Sequence, residues 1–151
     1  MKVCTFFGHR DAPWTIEPEL HKTLRHLISK MNVDTFYVGN QGQFDRMVQH
    51  HLQILANDFP YIRCFIVLHQ LPTATASHKS SCLSLFPEGL EDVHPKYALV
   101  HRNRWMVQQA DIVVSYVLHD WGGAAQFTAY ARRQGKLVLN LAENSVPEIF
   151  G

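Results

Sequence analysis

Three short turns carry the residue types from which chemistry could be built: Phe-Gly-His-Arg-Asp at 7–11, Gly-Asn-Gln-Gly-Gln-Phe-Asp at 39–45 and His-Asp-Trp-Gly-Gly-Ala-Ala-Gln at 119–126. Glycine lets the backbone take a positive φ or approach a ligand closely. The free N–H groups of the helical turn that follows can then bind phosphate or carboxylate. Every strand-to-helix connection needs a turn, so one glycine pair alone says little. Three such turns on one rim, each beside polar side chains, describe an anion pocket. Its candidate ligand contacts are Gly8, His9 and Arg10 from the first turn, Gly39, Gln41, Gly42 and Asp45 from the second, and Trp121, Gly122, Gly123 and Gln126 from the third.

A helix N-terminus favours an anion by only about 0.3–1 kcal/mol when exposed. Further charge is needed, and Arg10, Arg102 and Arg104 are the candidates, because a guanidinium fork grips a phosphate at two points. Asp45 can accept hydrogen bonds from ribose hydroxyls or a base; it can equally cap its own helix. His9 is a polar contact or proton donor on one reading and a hydrogen-bonded structural histidine on the other. Arg132 and Arg133 read as solvated surface charge.

The elements that must hold these turns follow from hydrophobic periodicity. Residues 2–7 read as a strand and Glu17–Met31 as a helix with Leu20, Leu24, Leu27 and Ile28 on one face, Pro18 being tolerated in its first turn. Residues 34–39 repeat the strand. A second helix begins at Gln43 and is stopped by Asp58-Phe59-Pro60. Residues 61–68 form a third strand, apolar enough to be buried on both faces. The stretch 70–96 has small polar residues, three prolines and no period, and is expected to be a long loop or lid. A helix resumes near Tyr97; a fourth strand spans 111–117, a fourth helix 123–133 with Gly135 as its stop, and a fifth strand 136–141. Alternating strands and helices predict an α/β fold: a Rossmann-like three-layer sandwich on a five-stranded parallel sheet, in the order 3-2-1-4-5. That order sets strands one and four side by side, with a crevice at their carboxyl ends.

The chain of 151 residues suits one domain over 1–151, and 46% apolar with 18% charged residues is ordinary globular composition. No apolar run reaches the roughly 20 residues of a membrane span, and no signal-peptide pattern precedes the first strand, so a cytoplasmic protein is expected. The net charge of +1, without a basic run, predicts no nucleic-acid footprint. Cys4, Cys64 and Cys82 lack any Cys-x-x-Cys spacing and read as reduced thiols. Ten histidines show no ligand spacing, so no metal is expected. P-loop, Gly-x-Ser-x-Gly and Gly-x-Gly-x-x-Gly patterns are absent, which leaves no certain cofactor.

Taken together, CTFFGHR, YVGNQGQFD, FPEGLEDVHPKYALVHRNRWMVQQADIVVSYV and WGGAAQFTAYARRQGKLVLNL resemble, in order and over nearly the whole chain, the YpsA-like branch of the SLOG superfamily, named for SMF/DprA and LOG proteins. The resemblance implies a pocket for a nucleotide-derived small molecule, ADP-ribose-like or NAD-related, that the protein binds or senses. It also raises the alternative of an N-glycosidase, a nucleotide 5′-monophosphate phosphoribohydrolase resembling LOG enzymes, with Arg102 and Gln126 as the catalytic candidates. Arg102 and Met106 keep the family's arginine-to-methionine spacing. Gln126 stands near the position of the enzymes' glutamate, and an amide cannot serve as general acid or base at neutral pH. The resemblance further implies pairing through helices into a homo-oligomer, for which Trp105 and Trp121 are the candidate anchors.

Overall fold

The computed structural model describes residues 1–71 and 82–143. Its elements are β1 (Val3–Gly8), α1 (Glu17–Met31), β2 (Thr35–Val38), α2 (Gln43–Asp58), β3 (Arg63–Val67), β4 (Leu83–Leu85), α3 (Pro95–Gln109), β5 (Ile112–Tyr116), α4 (Gly123–Arg133) and β6 (Leu137–Asn140). Short 3-10 turns lie at Trp14–Ile16 and Leu90–Asp92. The sheet is parallel throughout, in the order β4-β3-β2-β1-β5-β6.

Alternation along β1 builds a core on each face. Cys4 and Phe6 pack with Leu20, Leu24 and Leu27 of α1 and Phe44, Met47 and Val48 of α2. Val3 and Phe7 pack with Met106 and Val107 of α3 and Phe127 and Ala131 of α4. Helices therefore cover both sides, as an all-parallel sheet requires. α1 stops where Asn32 turns left-handed at φ 60°, and the chain leaves α4 through Gly135 at φ 76°.

The expected order 3-2-1-4-5 is present as β3-β2-β1-β5-β6, and the five-strand expectation is corrected to six. The added strand, β4, pairs with the edge of β3 (Phe65 with Leu83, Val67 with Leu85). Leu83 and Ser84 are exposed, so β4 has no buried face to leave a period in the sequence. The expected loop at 70–96 is thus interrupted by this strand and by the turn at Leu90–Asp92, and α3 starts at Pro95. Residues 72–81 of that expectation lie outside the described residues.

The reduced-thiol expectation also fails: Cys64 and Cys82 form a disulfide, with Cα atoms 4.9 Å apart. The register explains it. Because Phe65 faces Leu83, the preceding residues of the two strands fall beside one another, across a sequence separation of 18 that hides the proximity. Cys4 is free and buried, and burial pushes its thiol above the ordinary range. No described helix is long and apolar enough to cross a membrane.

β1 ends at Gly8 opposite Tyr116 of β5. The chain leaves β1 for α1 on one face and β5 for α4 on the other. A crevice opens between the two exits, where open α/β sheets bind ligands.

Candidate functional site

A cleft of about 420 Å³ occupies that crevice, floored by Phe6, Phe7 and Gly8 and walled by Leu99, Arg102, Asn103 and Met106 of α3. Arg102 is only 3% exposed. Its Nε and Nη2 donate to Asn103 Oδ1 at 3.1 and 2.8 Å, and its Nη1 donates to Asn40 Oδ1 at 3.3 Å and to the Val67 carbonyl at 3.2 Å. All of these acceptors are neutral. The described ion pairs are Arg25–Asp58, His51–Glu17 and Arg132–Glu143, so among the described residues no carboxylate is in contact with the buried guanidinium. Burial lowers the Arg102 pKa, with Asp45 opposing. A buried charge whose one nearby counter-charge, Asp45, is not in contact with it is costly, and an anion touching it in the cleft would relieve that cost.

Asp45 lies in the first turn of α2 and reaches back to accept the Gln41 N–H at 2.8 Å, the geometry of a capping carboxylate. Burial pushes its carboxyl up to about 6, held down in part by that N–H and by the charges of Arg102 and Arg10. Gly39 separates the two charged groups: a Cβ there would sit 2.8 Å from Asp45 Oδ2 and 3.2 Å from Arg102 Nη2. The next connection is tied to the first. Gln43 N–H donates to the Arg10 carbonyl at 2.8 Å, and Arg10 Nη2 donates to Gln41 Oε1 at 3.1 Å. Gly42, at φ 91°, permits this, since a Cβ would lie 2.7 Å from Arg10 Cα. On the floor, a side chain at Gly8 would run into the Phe44 ring.

Three rings form a stack at the cleft mouth. His9 lies on His119 with centroids 3.9 Å apart, and His119 lies on Trp121 at 3.7 Å and 8° between planes. His9 Nε2 accepts the Leu118 N–H at 3.0 Å, which makes it a neutral imidazole with its proton on Nδ1. Partial burial, then His119, lower the His9 pKa, with Asp11 opposing. Trp121 is 69% exposed, so its outer face is open to solvent. Beside it Gly122 caps the start of α4, its φ of 92° and ψ of 171° suiting glycine alone, and no side chain at Gly122 or Gly123 shields the first-turn N–H groups.

Of the residues expected from the sequence, Gly8, His9, Arg10, Gly39, Gln41, Asp45, Arg102, Trp121, Gly122 and Gly123 line this one cleft. Three do not. Gly42 shapes the loop tie behind it. Arg104 is exposed over a separate hollow of about 260 Å³ with Glu88, His101 and Trp105, because residues two apart on a helix point about 200° apart and only one of Arg102 and Arg104 can face inward. Gln126 is exposed and off the cleft lining, since its neighbours Ala125, Phe127 and Thr128 take the buried face of α4. Its comparison with a catalytic glutamate therefore loses its footing. The sequence reading missed Asn40 and Asn103, which hold Arg102, and His119, the middle ring. Asn103 was visible on the inward face of α3, but nothing in the sequence marks which ring lies on which.

No protein-family model matches the chain, and no curated protein matches it. Solved structures do. DNA processing protein A from Streptococcus pneumoniae matches with a TM-score of 0.68 at 14% identity, over 99% of this chain and 56% of that one, so this chain spans little more than half of that protein's length. DNA processing protein A from Helicobacter pylori, described for its unique single-stranded DNA binding mode, matches with a TM-score of 0.65 at 16% identity, over 97% of this chain and 72% of that one. The second match corrects the partner expectation of a small-molecule nucleotide and no nucleic acid, because a protein of this fold engages single-stranded DNA. A low net charge does not by itself exclude such a partner, since a strand can be held by ring stacking and few phosphate contacts. At these identities the likeness shows the fold: the chain is a three-layer, parallel α/β structure of the Rossmann-like kind found in DNA processing protein A.

Proposed function

We propose that the protein binds single-stranded nucleic acid at the carboxyl-end cleft, with a base stacked on Trp121 and a phosphate held between Arg102 and the first turn of α4. The observation that carries this reading is the joining of two features in one cleft. One is a buried guanidinium supplied only with neutral partners; the other is an exposed ring stack at the mouth. Bases stack on aromatic faces irrespective of sequence, while positive groups track the backbone. Duplex DNA keeps its base faces covered and cannot use such a platform. The Gly8-His9-Arg10 turn and the spacing of Arg102 to Met106 support placing the chain in the YpsA-like branch of the SLOG superfamily.

Fluorescence anisotropy with labelled oligothymidylate and with a duplex of equal length tests the reading. Single strands are expected to bind more tightly than duplex, with Arg102→Gln weakening binding while thermal denaturation verifies that the variant folds. Equal affinity for duplex, or no binding of single strands at micromolar protein and low salt, would refute it.

A further inference from the structure

We infer that the cleft receives the end of a strand, with a terminal phosphomonoester lodged beside Arg102, rather than an internal phosphodiester; this rests on the single-strand reading above. The first support is size. Arg102 is buried, and the cleft that it lines measures about 420 Å³. Sites for one drug-sized molecule run from roughly 300 to 1,000 Å³, so this one takes about one nucleotide and not a run of them. An internal phosphate could reach the guanidinium only if the sugars on both of its sides entered together.

The second support is the narrowed back of the cleft. The connections after β1 and β2 are fastened together by the Gln43 N–H to Arg10 carbonyl bond and by the Arg10 to Gln41 side-chain bond. Gly42 packs directly on the Arg10 backbone at the same place. These ties narrow the gap between the two loops through which a strand entering past Trp121 would have to leave.

The third support is charge. Arg102 donates one N–H from Nε, two from Nη1 and one from Nη2, which leaves one Nη2 hydrogen without an acceptor among the described residues. A monoester carries about −1.5 to −2 near neutral pH and has three terminal oxygens, against a single charge on a diester. It therefore compensates a guanidinium that touches no carboxylate among the described residues more fully.

The test compares one internally labelled oligothymidylate in three forms, with a 5′-phosphate, a 3′-phosphate and hydroxyls at both ends. A circular single strand and free thymidine monophosphate serve as competitors. One phosphorylated end is expected to tighten binding by about tenfold or more over the hydroxyl-ended and circular forms. Arg102→Gln should abolish that preference, and Trp121→Ala should weaken all forms alike while preserving it. Should Arg102→Gln fail to fold, Gly39→Ala keeps the arginine, puts a methyl group between it and Asp45, and is expected to abolish the same preference. A circle that binds as tightly as the phosphorylated strand overturns end recognition and leaves single-strand binding standing. Free thymidine monophosphate competing as strongly as the phosphorylated strand also overturns it, as does an unchanged preference in the folded Arg102→Gln protein. Absence of binding by every strand removes both readings.

Discussion

Replacing Trp121 with alanine isolates the stacking contribution. The ring is 69% exposed, lies 3.7 Å from His119 on its inner face and makes no contribution to either buried core. Its loss should change folding stability by less than about 1 kcal/mol, as for most surface substitutions. A base on the outer face is worth about 1–3 kcal/mol by alanine substitution, so the dissociation constant for a single strand should rise by roughly 5- to 150-fold. Trp14 supplies the control. It is 57% exposed on the connection after β1 and does not line the cleft, and Trp14→Ala should leave affinity unchanged. The chain has three tryptophans, so the assay has a second readout. Stacking of a base on Trp121 quenches its fluorescence; the quench should persist in Trp14→Ala and vanish in Trp121→Ala. Wild-type affinity in Trp121→Ala, or a quench that survives it, would refute the platform.

With Arg10 and Arg102 as the phosphate partners, about two counterions are released, and log affinity should fall against log salt with a slope of about −1.4. Raising salt fourfold then weakens binding by about sevenfold; a slope steeper than about −3 would require cations beyond this cleft. The Asp45 carboxyl, at about 6 when folded against an ordinary 3.8, binds its proton more tightly in the native state, so stability falls as pH rises through that interval and stays lowered above it. Asp45→Asn should accordingly raise stability by about 3 kcal/mol at neutral pH and by nothing near pH 3, a difference that thermal denaturation at the two pH values will measure. Reducing the Cys64–Cys82 bridge, or Cys82→Ser, should cost about 3 kcal/mol in denaturant unfolding given its loop length. Gly122→Ala should cost roughly 1–3 kcal/mol because of its backbone conformation, whereas Gly123→Ala meets open space and should melt no lower than wild type.

The spans of α1, α2 and α4 were legible because their signals are local: apolar residues at helical spacing, Pro18 in a first turn, Pro60 beyond a last one, Gly135 at a stop. The strand order was legible because a doubly wound sheet needs one reversal to cover both faces, and the reversal places Gly8 beside Tyr116. β4 was not, since three residues with two side chains in solvent leave no period, and their existence depends on the edge of β3. The disulfide inherits that invisibility. Within the site, the backbone requirements of Gly42 and Gly122 could be read from residue type, and helix geometry already allowed only one of Arg102 and Arg104 to face inward. What could not be read was the joining of His9, from the turn after β1, with His119 and Trp121, from the turn after β5, into one stack. This had a consequence for function. Net charge of +1 registers only the ionic share of any strand binding, and stacked rings can add affinity that no count of basic residues contains. The partner expectation was judged by charge alone, a measure blind to ring stacking, whereas the β1–β5 pairing that brings the two loops together was already legible from the strand order.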